Sequence, residues 1–204
     1  MASIFPKRLS RHKRQQKSLF VLNMSRESKF LSLVLRHKPE EIDLQLDTHG
    51  WARVDELLRK LKKSGRKLSH DELIEIVEMS DKKRFTLSED GRRIRAAQGH
   101  SIEVDLGLKP RQPPCELYHG TASANLDAIF SNGLVPGKRQ QVHLSLDPDT
   151  AERVGQRHGR PVVLRVEAQR MFDDGFEFFR ADNGVWLTDA VPARYLGFGQ
   201  ISEQ

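Results

Sequence analysis

The chain has 204 residues, 37 % hydrophobic and 30 % charged, with a formal net charge of +6 and an isoelectric point near 9.6. That length can bury a sizeable core in one medium domain or two small ones, and the basic balance invites an anionic partner such as nucleic acid. The single cysteine, Cys115, excludes a disulfide framework or a cysteine zinc cluster, and no apolar run approaches the roughly 18–20 residues that span a bilayer, so a cytoplasmic protein without a membrane partner is expected.

The positive charge is unevenly placed. Residues 1–23 hold Lys7, Arg8, Arg11, Lys13, Arg14 and Lys17 and no acid, so they carry the whole excess and the body is neutral. This tail is expected to be disordered. It fits a transit peptide, an RNA-binding arm, or upstream sequence translated from a misplaced start; the strong pattern beginning at Met24 favours the last. From Ser25, Phe30, Leu31, Val34 and Leu35 recur at helical spacing until Pro39, with Arg36 and His37 on the last turn. A second helix is expected over 54–63, with Val54, Leu57, Leu58 and Leu61 as its apolar face. Ser69 and Glu72 form a capping box for a third. Arg84–Leu87 and Arg93–Ala96 then flank Glu89-Asp90-Gly91 as a β-hairpin. Three helices followed by a hairpin is the order of a winged helix, here over 24–97.

Residues 98–114, with Gly99, Gly107, Pro110, Pro113 and Pro114, read as a linker. Beyond it, over 115–204, strands alternate with short helices. Glu116-Leu117-Tyr118 is a strand ending in His119-Gly120-Thr121, and Ser123 caps a helix closed by Asn132-Gly133. Val142–Ser145 is the next strand, Asp147 and Pro148 open a helix that ends near Gly159, and 161–166 is a strand buried on both faces. Phe176–Arg180 and Val185–Thr188 are joined by Asp182-Asn183-Gly184, a hairpin turn. The chain is expected to be α+β.

The sequence has no HExxH, CxxC pair or EF-hand loop, so no metal site is expected. It also lacks the GxGxxG and GxxxxGK[ST] phosphate loops and a nucleophile elbow. What remains is arginine and histidine in unusual places. Arg36-His37 can serve simply to complement a helix dipole. Arg84 follows Lys82 and Lys83 in what is ordinarily a solvated cluster, and Arg139 sits in a loop, where surface arginines are common. His119 and His143, each on a strand, are ordinarily core histidines with a partner. Taken together, they begin to outline a polar pocket in a sheet.

Several motifs, in order, resemble the NAD-dependent RNA 2′-phosphotransferases (the tRNA 2′-phosphotransferase family): Ser28–Pro39, Gly50-Trp51-Ala52, Lys83-Arg84-Phe85, Gln98–Ser101, Leu117–Thr121, Val142–Ser145 and Asn183–Thr188. The resemblance extends over residues 24–195. The resemblance implies a winged-helix lobe joined to an ADP-ribosyltransferase-like lobe with a mixed sheet. It implies NAD⁺ as co-substrate and RNA with an internal 2′-phosphate, such as tRNA, as partner, and a monomer is expected. In such enzymes the 2′-phosphate attacks the nicotinamide ribose, giving an RNA 2′-phospho-ADP-ribose intermediate. The ribose 2″-hydroxyl then attacks phosphorus to leave 2′-OH RNA and ADP-ribose 1″,2″-cyclic phosphate. Matched by motif, Arg36, His37, Arg84 and Arg139 are the catalytic set. His119, Gly120, Thr121, His143, Ser145, Phe179, Arg180 and Val185 fall in the NAD pocket, Val185 where many other ADP-ribosyltransferases carry glutamate. The chemistry suits these residue types: guanidiniums fork onto phosphate oxygens and stay charged, and a histidine exchanges protons. Two other readings stand beside this one: ADP-ribosylation of terminal RNA or DNA phosphates, and a winged-helix nucleic-acid binder with a nucleotide-sensing lobe.

Overall fold

Between Lys7 and Pro39 there is no glycine or proline, and lysine, arginine, glutamine and leucine sustain a helix without a break. In the computed structural model, which describes residues 11–80 and 82–199 (backbone alone for 11–23 and 158), helix α1 accordingly runs Arg11–Arg36. Helix α1 thus begins before the expected start at Ser25, its backbone running through residues 11–23; residues 1–10 lie outside the described residues. Pro39, lacking an N–H, ends the run and opens a 3-10 turn over Pro39–Ile42.

Helix α2 (Val54–Lys63) turns Val54, Leu57 and Leu61 inward and carries Asp55 and Glu56 at its start and three lysines at its end, matching its dipole. Ser69 caps α3 (His70–Glu78): Glu72 N donates to Ser69 Oγ at 3.2 Å, and Ser69 N donates to Glu72 Oε2 at 2.8 Å. Strand β1 (Ala52–Arg53), too short to show an alternation in sequence, pairs with β3 (Arg93–Ala96), which pairs with β2 (Phe85–Leu87). Leu31, Leu35, Leu57, Leu61, Leu73 and Ile94 form the first core. Each fully buried leucine contributes about 1.5–3 kcal/mol.

The C-terminal half holds two three-stranded sheets. One has the order β4 (Leu117–Ala122), β6 (Pro161–Val166), β9 (Leu196–Phe198); the other, β5 (Val142–Leu144), β8 (Trp186–Thr188), β7 (Phe179–Arg180). A bridge between Tyr118 and Ser145 links them, with N···O distances of 2.9 and 2.7 Å. Every strand pair among the described residues is antiparallel, so the expected mixed sheet is corrected. A parallel pair needs a crossover that returns to the same sheet. Here each connection passes to the other sheet, apart from the β7–β8 hairpin. Helix α4 (Leu126–Asn132) follows a 3-10 turn at Ser123–Asn125, so Asn125 rather than Ser123 is its cap residue. Asp147 Oδ1 accepts from Thr150 N at 2.7 Å at the start of α5 (Pro148–Gly155). Helix α6 (Ala168–Asp173) and β9 were not legible in the pattern. Leu117, Leu144, Leu164, Met171, Phe178 and Tyr195 centre the second core.

The chain is α+β, and residues 98–114 do more than connect its two cores. His100, Val104 and Pro113 are buried, Asp105 N donates to Thr48 O, and Arg111 N donates to Phe178 O. The cores are also tied by Asp182, which accepts from Thr86 Oγ1 at 2.9 Å and Arg95 Nη2 at 3.0 Å. No helix among the described residues is long and apolar enough to cross a membrane.

Candidate active site

The end of α1 presents Arg36 half-buried and His37 exposed. Two devices bring Arg84 beside Arg36. Lys83 adopts a positive φ of 40°, uncommon for a residue with a side chain, and turns the chain into β2. The carbonyl of Arg84 then accepts from Ala97 N at 2.9 Å and from Arg36 Nη2 at 3.2 Å.

The run Gly99-His100-Ser101 fastens this corner to the other half. Ser101 N donates to Arg36 O at 3.0 Å, and Gln140 N, next to Arg139, donates to His100 O at 3.3 Å. Gly99 has φ +88°, and a methyl placed on it would stand 3.7 Å from Arg36 Nη1 and 3.8 Å from His143 Nε2. One side chain from each half therefore closes over this glycine. His100 is 2 % exposed, and its Nε2 has no hydrogen-bond partner among the described residues. These three residues fall in the Gln98–Ser101 motif, and the motif match alone assigns them no role. A Gly-His-Ser run inside a Pro- and Gly-rich connection was the available signal.

On the C-terminal side, strand alternation sorts the expected NAD-pocket residues. His143, Leu187 and Phe179 occupy one register row across β5-β8-β7 and so share a face. Val185 immediately precedes β8, with Ala181 N donating to its carbonyl, and continues the alternation of Leu187. His119 Nδ1 lies 3.1 Å from His143 O; a carbonyl only accepts, so Nδ1 carries the proton. These residues the fold brings together. Arg180 it does not: its register partner is Trp186, on the opposite face, and its guanidinium lies 6.0 Å from that ring. Gly120 also faces away from His119, and a Cβ there would collide with the Ala151 carbonyl, so its glycine lets α5 approach β4. Thr121 is buried and its hydroxyl accepts from Asn125 at 3.2 Å. Ser145 contributes its backbone to the bridge between the sheets.

The electrostatics are one-sided. Among the described residues no carboxylate forms an ion pair with Arg36, Arg84 or Arg139. Burial, then the charges of Arg84 and Arg139, lowers Arg36 to about 10, still protonated at neutral pH. Partial desolvation, then Arg36 and Arg139, pushes His37 below the usual histidine range. Burial, then Arg139, Arg36 and His119, lowers His143 to about 3, and burial, then Arg36, His37 and Arg95, lowers His100 to about 4. Neutral imidazoles thus line a patch of fixed guanidinium charge, which suits an anion with several oxygens. Arg157, exposed after α5, adds to the charge felt by Arg139.

Fold and site together define an α+β protein with a cation cluster assembled from the segments around both cores. The family model described as RNA 2′-phosphotransferase, Tpt1 / KptA family, matches residues 23–190. A protein of Agrobacterium fabrum, named "Probable RNA 2'-phosphotransferase", is 64 % identical over 169 residues, covering 83 % of this chain and 91 % of its own. Proteins with the same name from Hahella chejuensis and Acaryochloris marina are 53 % and 55 % identical, covering 87 % and 83 % of this chain and 96 % and 93 % of theirs. The chain belongs to the RNA 2′-phosphotransferase family.

Proposed function

We propose that this protein removes an internal 2′-phosphate from RNA, tRNA being the family-implied substrate, by transferring it to NAD⁺. The observation that carries the reading is the gathering of Arg84, Arg139 and His37 around Arg36, with no carboxylate ion-paired to these arginines among the described residues. A phosphate monoester is nearly a dianion, and three forked cations hold it where lysines would act only as point charges. Residues 24–97 act as a winged-helix lobe, supported by the helix–strand–helix–helix–strand–strand order and the β1-β3-β2 sheet. Residues 115–204 act as the ADP-ribosyltransferase-like lobe, with 98–114 between them.

NAD⁺ fits the residues present. In the His143–Leu187–Phe179 row His143 and Phe179 are half-buried beside a buried Leu187, His143 Nε2 is a buried nitrogen without a hydrogen-bond partner among the described residues, and His119 and Val185 extend the row. In the first step a 2′-phosphate oxygen bonds to C1″ of the nicotinamide ribose as the C1″–N bond breaks, and nicotinamide leaves with the electron pair. With Val185 in place of a glutamate, the phosphate itself supplies the charge of the nucleophile. In the second step the ribose 2″-oxygen bonds to phosphorus, the bond from phosphorus to the RNA 2′-oxygen breaks, and the 2″-hydroxyl proton passes to that oxygen. In this reading His37 hydrogen-bonds the phosphate, while the arginines spread the charge of the transition state.

Incubating the protein with NAD⁺ and a short 2′-phosphorylated RNA should release nicotinamide and leave 2′-OH RNA. If nicotinamide is never released, the reading fails. A lasting ADP-ribosylated phosphate, seen by mass spectrometry, would show an enzyme that stops after the first step.

A further inference from the structure

We propose that Ser101 is a positioning residue for His37, its hydroxyl donating to Nδ1 so that the ring is held as the Nε2–H tautomer with that edge free for the phosphate. Ser101 Oγ lies 2.9 Å from His37 Nδ1. It has no other hydrogen-bond partner among the described residues. Its placement does not depend on the side chain, because Ser101 N is anchored to Arg36 O, one residue before His37. The hydroxyl is therefore carried to the imidazole by backbone fixed on the end of α1.

The direction of the bond follows from what surrounds the ring. Arg36 on the same helix and Arg139 and His100 from other segments face His37, and among the described residues no carboxylate contacts it. The two arginines disfavour an imidazolium, so the resting ring is neutral and carries one N–H. Phosphate oxygens in the dianion only accept. A neutral ring can donate to them from Nε2 only if Nδ1 holds the lone pair, and Ser101 supplies the donor that satisfies it. The inference rests on the reading of His37 as a group that faces substrate phosphate, and it adds what orients that group.

Nitrogen-15 histidine spectra of the whole protein at neutral pH, with His37 assigned through His37→Gln, read the tautomer directly. The expected result is an acceptor-type Nδ1 and a protonated Nε2. Ser101→Ala should mix the two tautomers, move the His37 titration midpoint upward and lower kcat about tenfold with KM for NAD⁺ little changed. Ser101→Thr should restore all three. A protonated Nδ1 in the unmutated protein, or an alanine variant with unchanged tautomer and kcat, would overturn the assignment. The spectra require no turnover. A protein with the expected tautomer but no NAD⁺-dependent reaction would sink the functional reading and leave the Ser101 bond standing.

Discussion

Arg36 and Arg95 are both half-buried arginines near the junction of the two cores, and the protein treats them in opposite ways. Arg95 stacks on Trp51 at 4.6 Å, donates to Asp182 at 3.0 Å and to Leu106 O at 3.1 Å. Arg36 has one carbonyl, that of Arg84, and two arginines as its charged neighbours. The first is a neutralised fastener. The second keeps its charge available at a cost in stability, which a fold accepts where a ligand is to complete the site. An arginine's surroundings, more than its burial, separate a structural role from a functional one.

The comparison breaks most visibly under mutation of Arg36. Arg36→Ala should lower NAD⁺-dependent turnover by on the order of 10²–10³-fold, with a melting temperature equal to or above that of the parent. A large fall in melting temperature together with retained turnover would make Arg36 a second fastener. Next in size is the response to acid. His100 is lowered to about 4 and His143 to about 3, chiefly by burial. The unfolded chain takes up these protons near pH 6.5, before the folded one can. Stability should be full above that pH and fall as pH drops toward 4, by on the order of 3 kcal/mol for His100 alone. Urea unfolding at pH 7 and pH 5 measures this, and His100→Asn should remove its own share of the difference while that of His143 persists.

Cutting the fastener should have the reverse signature of Arg36→Ala. Asp182→Ala removes the acceptor shared by Thr86 and Arg95 and should cost about 1–2 kcal/mol of stability, with turnover reduced less than tenfold. A thermal melt beside an activity assay decides between the two patterns. Smallest of all, deleting residues 1–23 should leave turnover within about twofold and weaken RNA binding modestly, mostly at low salt. The family match begins at residue 23, and the site residues all follow it. A collapse of activity would show that the basic segment, carrying the whole +6, holds RNA.

What could be read from the sequence was what local chemistry dictates. The apolar face of α2, the Ser69–Glu72 box, the Asp147 cap and the Asn183-Gly184 hairpin depend on neighbours in the chain, and each is found in place. Strands of two or three residues such as β1 and β9 are too short for an alternation, and they exist because partners distant in sequence supply their hydrogen bonds. The antiparallel pairing depends on connections passing between sheets, which no periodicity records. For the candidate site, motif order named Arg36, His37, Arg84 and Arg139, whereas faces needed the register. Arg180 and Phe179 are adjacent in sequence and therefore opposed across a strand. Gly120 is also needed for the close approach of α5 to β4, a contact between segments that no local pattern records. Ser101 and His100 were hidden in a stretch whose prolines and glycines suggested only a linker.

The proposed reaction transfers one phosphorus atom from RNA to NAD⁺ within the arginine cluster. The most direct test follows the atoms of that group. An RNA whose 2′-phosphate carries oxygen-18 at its three non-bridging positions is incubated with the protein, with and without NAD⁺, and the products are weighed by mass spectrometry. All three labelled oxygens should appear in ADP-ribose 1″,2″-cyclic phosphate, only when NAD⁺ is present, with unlabelled 2′-OH RNA beside it. Labelled inorganic phosphate formed without NAD⁺ would mean simple hydrolysis and would contradict the account.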